Sequence, residues 1–425
     1  MIGALAALLM SATAVAAPRL PTQDPFYSYS GSLAGVAPGT VLKTRAITLP
    51  GTPLSVAFTA SQVLYRTTGE LGQPTATVVT IIKPLLPVPT KIVSYQTAYD
   101  ALGAQCDPSY TFQGGSGGDN TAGAEEQLIS GYVVAGDTVV VPDYEGTNLD
   151  WGAGQESGYG TLDGIRAAEN VLGASQESTP VAMVGYSGGS IATEFASELQ
   201  PTYAPGLDLV GVAEGGVPVD FAHNLTYING SKGWSGVIPA VLVGIGRGFK
   251  IDVSKYASPY GLQVAGQVQH ECINSFFGNY PGLTIQKLLK PRYQNFLGIP
   301  AIARITNELI MSRTGTPRGP LFIGVGNADG TGDGVMVARD VQELAYTYCQ
   351  RGVSVQFNEY MGDDHTAAAI PFEVGALAFV NERLNGLFVS NGCGSISPGN
   401  SLAPLPVKKA VHRKHHHKHR RHRRH

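Results

Sequence analysis

Short apolar runs alternate with helix-periodic stretches along most of the chain, and their order sets an expectation for the fold. Runs rich in β-branched or aromatic residues predict strands at 54–59, 61–67, 75–82 and 91–95. Further buried-strand runs follow at 138–141, 181–184, 207–213, 320–326 and 353–360. Helical spacing lies between them. Residues 161–172 place Leu162, Ile165, Ala168 and Leu172 on one face, and 124–135, 191–199, 339–348 and 372–387 also read as helices. Strands alternating with helices build a mostly parallel sheet with helices on both faces, an α/β fold. Right-handed crossovers restrict its topology further.

Two stretches break the alternation. Residues 18–45 hold Pro, Gly and Ser with little periodicity and read as an irregular arm packed on the body. From 216 to 316 the β signal fades, and helices are expected at 237–249, 261–272, 283–289 and 301–311. A loop of that length without structure would be anomalous inside a domain. An inserted helical cap is therefore expected at 216–316, between two parts of one core at 18–215 and 317–395.

The run at 181–184 leads straight into Gly185-Tyr186-Ser187-Gly188-Gly189 and then into a helix. A G-x-S-x-G turn between a buried strand and a helix is the nucleophile elbow of an α/β-hydrolase. Its strained backbone requires small neighbours, which the glycines supply. A serine hydroxyl becomes a useful nucleophile only beside a base that a third group orients. Outside the C-terminal tail there are three histidines, His223, His270 and His365. His365 falls in the polar segment Gly362-Asp363-Asp364-His365, between the last strand and the last helix, where this fold keeps its base. His223 and His270 fall in the cap and read as surface or hydrogen-bonded residues. The orienting acid should follow the strand at 320–326, where both Asp329 and Asp333 qualify. Asp333 is preferred because Gly334-Val335-Met336 after it resembles the start of the next helix connection. Asp329 is the alternative, and whichever is not the acid reads as a turn-forming residue. Asp363 and Asp364 read as solvated or capping.

Composition and charge narrow the class. Charged residues make up only 14% of the 425 and hydrophobic ones 43%, so most of the chain folds. Residues 408–425 carry nine of the 29 Lys+Arg and seven of the ten His. The remaining body is acidic, with 20 basic residues against 32 acidic, which argues against a nucleic-acid partner. Residues 396–425 read as a disordered basic, His-rich tail, with attachment to an anionic cell envelope as its sharper reading. Residues 1–17 are mostly apolar, uncharged and end in Ala14-Val15-Ala16-Ala17, like a secretory signal peptide. No later run is long enough to span a bilayer; 237–245 is apolar over only nine residues. Four cysteines, Cys106, Cys272, Cys349 and Cys393, favour two disulfides in an exported chain. Their spacing offers no local zinc site. Asn224-Leu225-Thr226 and Asn229-Gly230-Ser231 match the glycosylation pattern.

Several segments together carry a family resemblance. They are Ser94-Tyr95-Gln96-Thr97-Ala98-Tyr99-Asp100, Cys106-Asp107-Pro108-Ser109-Tyr110 and Val141-Pro142-Asp143-Tyr144-Glu145-Gly146. With them go Thr161-Leu162-Asp163-Gly164-Ile165-Arg166, the elbow itself, Gly332-Asp333-Gly334-Val335 and Asp364-His365. Over roughly residues 25–395 the chain resembles the secretory lipase family of the Candida antarctica lipase A type. The resemblance implies a secreted α/β-hydrolase that cleaves carboxylic esters, most naturally acylglycerols, with no cofactor. It implies a triad of Ser187, His365 and Asp333, whose spacing from His365 fits better than that of Asp329. It places Asp100 at the oxyanion hole, with the N–H of Gly188 as the other donor. It also implies the pairings Cys106–Cys272 and Cys349–Cys393. The apolar run at 237–245 suits lipid on the inner face of the cap, so contact with a lipid interface is expected there. A short-chain carboxylesterase or acyltransferase would use the same residues. A catalytically dead, envelope-binding protein is the alternative outside enzymes.

Overall fold

The computed structural model describes residues 17–50, 56–86, 88–116 and 121–407. The expected leader before Ala17 and the basic tail from 408 onward lie outside the described residues, as does the start of the strand expected at 54–59.

Among the described residues, strands β1 (Val41–Ile47), β2 (Phe58–Thr68), β3 (Pro74–Pro84), β4 (Ile92–Gln96), β5 (Thr138–Pro142), β6 (Val181–Tyr186), β7 (Leu209–Gly215), β8 (Leu321–Asn327) and β9 (Val355–Met361) form one sheet. Its order is β1-β2-β3-β5-β4-β6-β7-β8-β9. The first three strands form an antiparallel edge, and everything from β5 to β9 is parallel. Side chains on neighbouring positions of a strand face opposite ways, and the core divides accordingly. Val140, Val181 and Met183 pack with Leu162, Ile165 and Phe195 of the helices on one face. Val139, Val141, Ala182 and Val184 pack with Tyr132, Phe372 and Phe379 on the other.

The helices are α1 (Pro108–Thr111), α2 (Thr121–Ala135), α3 (Gly154–Leu172), α4 (Gly188–Tyr203), α5 (Phe221–Ile228), α6 (Val237–Gly248), α7 (Pro259–Val268), α8 (Ile273–Phe276), α9 (Ile285–Leu288), α10 (Pro300–Glu308), α11 (Ala338–Gln350) and α12 (His365–Leu384). Helices α5 to α10 all lie between β7 and β8, so a helical layer separates those two neighbouring parallel strands in sequence. Two disulfides link Cys106 to Cys272 and Cys349 to Cys393. The first ties the segment after β4 to the helical layer, and the second fastens the segment after α12 to α11. Among the described residues no helix is long and apolar enough to cross a membrane.

Four expectations need correction. The arm at 18–45 is not wholly irregular: its end begins β1, which pairs with β2 at the sheet edge. Residues 54–59 and 61–67 do not form two strands. Ala60, with Ile47 on one side and Ile82 on the other, sits inside the single strand β2. The last helix starts at His365 rather than 372. Asp364 caps it by accepting from the N–H groups of Thr366 and Ala367, and Pro371 sits inside it. Residues 396–407 are not a loose tail. Gly399 N–H donates to Glu343, Gln342 and Arg339 donate to the carbonyls of Ser397 and Pro398, and Asn307 bonds both ways with Leu405.

Candidate active site

Strand β6 delivers Ser187 to the carboxyl edge of the sheet. The chain turns there in one residue: Ser187 has φ 55° and ψ −124°, a region that L-residues rarely occupy. The turn works because its neighbours lack side chains. A Cβ on Gly189 would collide with the carbonyl oxygen of Gln96, and one on Gly188 would collide with the Asp100 carboxylate. Helix α4 starts at Gly188, so the Gly188 N–H is one of the four at a helix start that have no partner one turn back.

His365 opens α12, and its ring is pinned from several sides. Nδ1 lies 2.7 Å from Asp333 Oδ2, and Nε2 lies 2.7 Å from Ser187 Oγ. The backbone N–H of His365 donates to the carbonyl of Asp333 at 2.9 Å. The hydroxyl of Tyr186 donates to the His365 carbonyl at 2.6 Å, and its ring packs on the imidazole. Trp234, from the helical layer, meets the imidazole edge-on at 5.1 Å between centroids. Asp333 Oδ1 accepts from the N–H groups of Val335 and Met336 at 2.9 and 2.7 Å, which leaves Oδ2 to His365. Both His365 and Asp333 are buried.

The two candidate acids are thus separated by geometry. Asp329 faces away and is exposed. Its Oδ1 accepts from Thr331 and Gly332 N–H, and its Oδ2 from the Tyr227 hydroxyl at 2.8 Å. Desolvation opposes its ionisation, but those donors outweigh it and hold the carboxyl below its ordinary range. Tyr227 in turn accepts from Gly334 N–H, so Asp329 braces the loop that carries Asp333.

Asp100 follows β4 and has φ 39°, a positive φ like that of Ser187. It lies against Gly188. An apolar cavity of about 80 Å3 opens over Ser187, Gly188 and Asp100, walled by Trp151, Phe221, Trp234 and Met336. A second apolar cavity of about 60 Å3 lies within the helical layer, lined by Leu242, Ile251, Phe296 and Ile302. Helix α6 contributes Val241 to the first cavity and Leu242 to the second. Among the described residues no group of His, Cys, Asp or Glu is arranged to hold a metal ion.

The other histidines are placed elsewhere. His223 bonds to Asp340 at 2.9 Å, and that carboxylate raises the pKa of its ring. His270 offers its carbonyl to Gln105. Asn224 of the first glycosylation match is buried, and its amide donates to the Val335 carbonyl. Sequence reasoning missed Trp234, Tyr186, Tyr227 and Glu145. Only Tyr186 and Glu145 lay in segments that carried a signal, as neighbours of Ser187 and of Gly146.

A mostly parallel sheet with an antiparallel edge, a serine on a strand-to-helix elbow and a histidine at the start of the last helix define an α/β-hydrolase. The family comparison narrows this. The secretory lipase model matches residues 118–392, and the chain belongs to that family. Lipase A of Arthroderma benhamiae is 32% identical over 394 residues, covering 89% of this chain and 82% of the relative. A Mycobacterium tuberculosis protein named as a probable inactive lipase is 32% identical over 359 residues, 82% and 79% of the two chains. Among solved structures, Candida antarctica lipase A in its closed state superposes with a TM-score of 0.83 at 28% identity, covering 92% of each chain.

Proposed function

We propose that this chain is a secreted triacylglycerol lipase that works through an acyl-enzyme on Ser187. Membership of the secretory lipase family carries the coarser statement, an ester-hydrolysing enzyme of the lipase class. The observation behind the finer reading is the unbroken contact from Ser187 through His365 to Asp333, at 2.7 Å in each step, beneath an apolar cavity. One relative is named as inactive, so family membership alone does not establish turnover. The intact contact favours the active reading over a dead envelope-binding protein.

In this mechanism Ser187 Oγ attacks the ester carbonyl while His365 Nε2 takes its proton. Asp333 holds Nδ1–H and stabilises the imidazolium. The N–H groups of Gly188 and the Asp100 segment receive the oxyanion, each good donor lowering the barrier by about 3–4 kcal/mol. His365 returns the proton to the departing alcohol, and water then releases the acid by the same steps. No cofactor enters. The helical layer at 216–316 acts as a cap whose apolar inner face, including Val237 and Val241, accepts the acyl chain and meets the lipid interface. The basic tail retains enzyme at an anionic envelope.

Initial rates on triacylglycerol emulsions and soluble p-nitrophenyl esters of rising chain length test this. Long-chain emulsions turned over faster than soluble short esters are expected. Activity confined to short soluble esters would leave the carboxylesterase reading instead.

A further inference from the structure

The segment Asp143-Tyr144-Glu145 has no part in the mechanism above, yet it is buried beside the active site. Each of its residues grips a different part of the chain around Asp100. Asp143 accepts from the N–H and hydroxyl of Ser109, fixing α1 just after Cys106. Tyr144 donates its hydroxyl to the carbonyl of Thr97 at 2.7 Å. Glu145 accepts the N–H of Ala101 at 3.1 Å, and its own N–H donates to the Tyr99 hydroxyl at 2.7 Å. The rings of Tyr99 and Tyr144 pack edge to face, 4.9 Å apart. On the opposite side, Glu125 of α2 accepts the N–H of Ala98 at 3.0 Å.

The turn at 97–101 is therefore held on both sides of Asp100. It needs holding, because a non-glycine residue at φ 39° sits in a region that L-residues rarely adopt and that surroundings must enforce. Asp100 also lies against Gly188 with no room for a side chain there, so small shifts of the turn move one oxyanion donor against the other.

We propose that Glu145 is a positioning residue for the oxyanion hole: by taking the N–H of Ala101 it keeps Asp100 in its left-handed conformation against Gly188, with Tyr144 as its partner at Thr97. This rests on the reading that Asp100 lies at the oxyanion hole. Burial, with Asp100 beside it, pushes the Glu145 carboxyl well above its ordinary range. A neutral acceptor therefore suffices at Ala101, and glutamine can supply one.

The test is steady-state kinetics on a soluble ester for Glu145→Ala, Glu145→Gln, Tyr144→Phe and Asp100→Pro, the last of which removes the backbone N–H at 100. A misplaced donor costs on the order of 10²-fold. Glu145→Ala should therefore lose about 10- to 100-fold in kcat with KM within about twofold, and Glu145→Gln should recover to within about threefold of the parent. Tyr144→Phe removes only a hydroxyl and should lose about three- to tenfold in kcat at unchanged KM. It serves where Glu145→Ala does not accumulate as folded protein. Parental kcat in Glu145→Ala, or in Tyr144→Phe when it stands in, alongside a large loss in Asp100→Pro, overturns the clamp and leaves the oxyanion reading standing. Parental kcat in folded Asp100→Pro, which lacks the N–H at 100, overturns both.

Discussion

Replacing Asp333 with asparagine exchanges one oxygen for NH2 at the group that faces His365. The structure indicates which oxygen. Oδ1 is committed to the N–H groups of Val335 and Met336, so the amide oxygen takes that place. The NH2 then points at His365 Nδ1, 2.7 Å away, and can only donate. Nδ1 becomes an acceptor, and the neutral ring carries its proton on Nε2. Nε2 then donates to Ser187 Oγ where it should accept, and the base is lost. The expected cost is about 10⁴ in kcat, roughly 5.5 kcal/mol, with little change in KM. Asp329→Asn is the matched control. Asparagine keeps the bonds from Thr331 and Gly332 and can still reach Tyr227, so kcat should stay within about threefold. The assay is steady-state hydrolysis of p-nitrophenyl butyrate at neutral pH, with thermal unfolding to confirm that both variants fold. A loss under about tenfold in Asp333→Asn, or a larger loss in Asp329→Asn, refutes this assignment of the acid.

Three further perturbations read other parts of the structure. Glu214, Glu194 and Glu198 cluster with Tyr348 in the core, and burial raises both Glu214 and Glu198 from 4.5 to about 8. Between those values the folded chain holds protons that the unfolded chain has released, so stability falls as pH rises through the window. Glu214→Gln should flatten that fall in the melting temperature, and an unchanged profile counts against the cluster as its source. Opening the Cys106–Cys272 bridge with serines frees a loop with a sequence separation of 166, worth up to about 5 kcal/mol of unfolded-state entropy. The denaturant midpoint should drop, and an unmoved midpoint contradicts the estimate. Deleting 408–425 should release cell-associated enzyme with turnover unchanged, and unaltered retention removes the envelope role.

The elbow was legible because strand, turn and helix are contiguous, and only Gly fits where Gln96 and Asp100 approach. Most core strands were legible from continuous apolar runs buried on both faces. Strand β1 was not, because an edge strand with Lys43 and Arg45 alternates only weakly. The start of α12 was hidden by Pro371, a helix breaker that a core helix has absorbed. The choice between Asp333 and Asp329 depends on Tyr227, which arrives from more than a hundred residues upstream. Glu145 lies in one of the segments that carry the resemblance, but its partner at Ala101 appears only once β4 and β5 lie side by side.

The central claim is that Ser187 is a nucleophile activated by His365. Intact-mass and peptide mapping after exposure to a p-nitrophenyl alkylphosphonate tests it directly. One phosphonate per chain, mapped to Ser187 and absent from Ser187→Ala, with ester hydrolysis lost in step, is the predicted result. Labelling at another residue, or ester turnover that survives in folded Ser187→Ala, would contradict it.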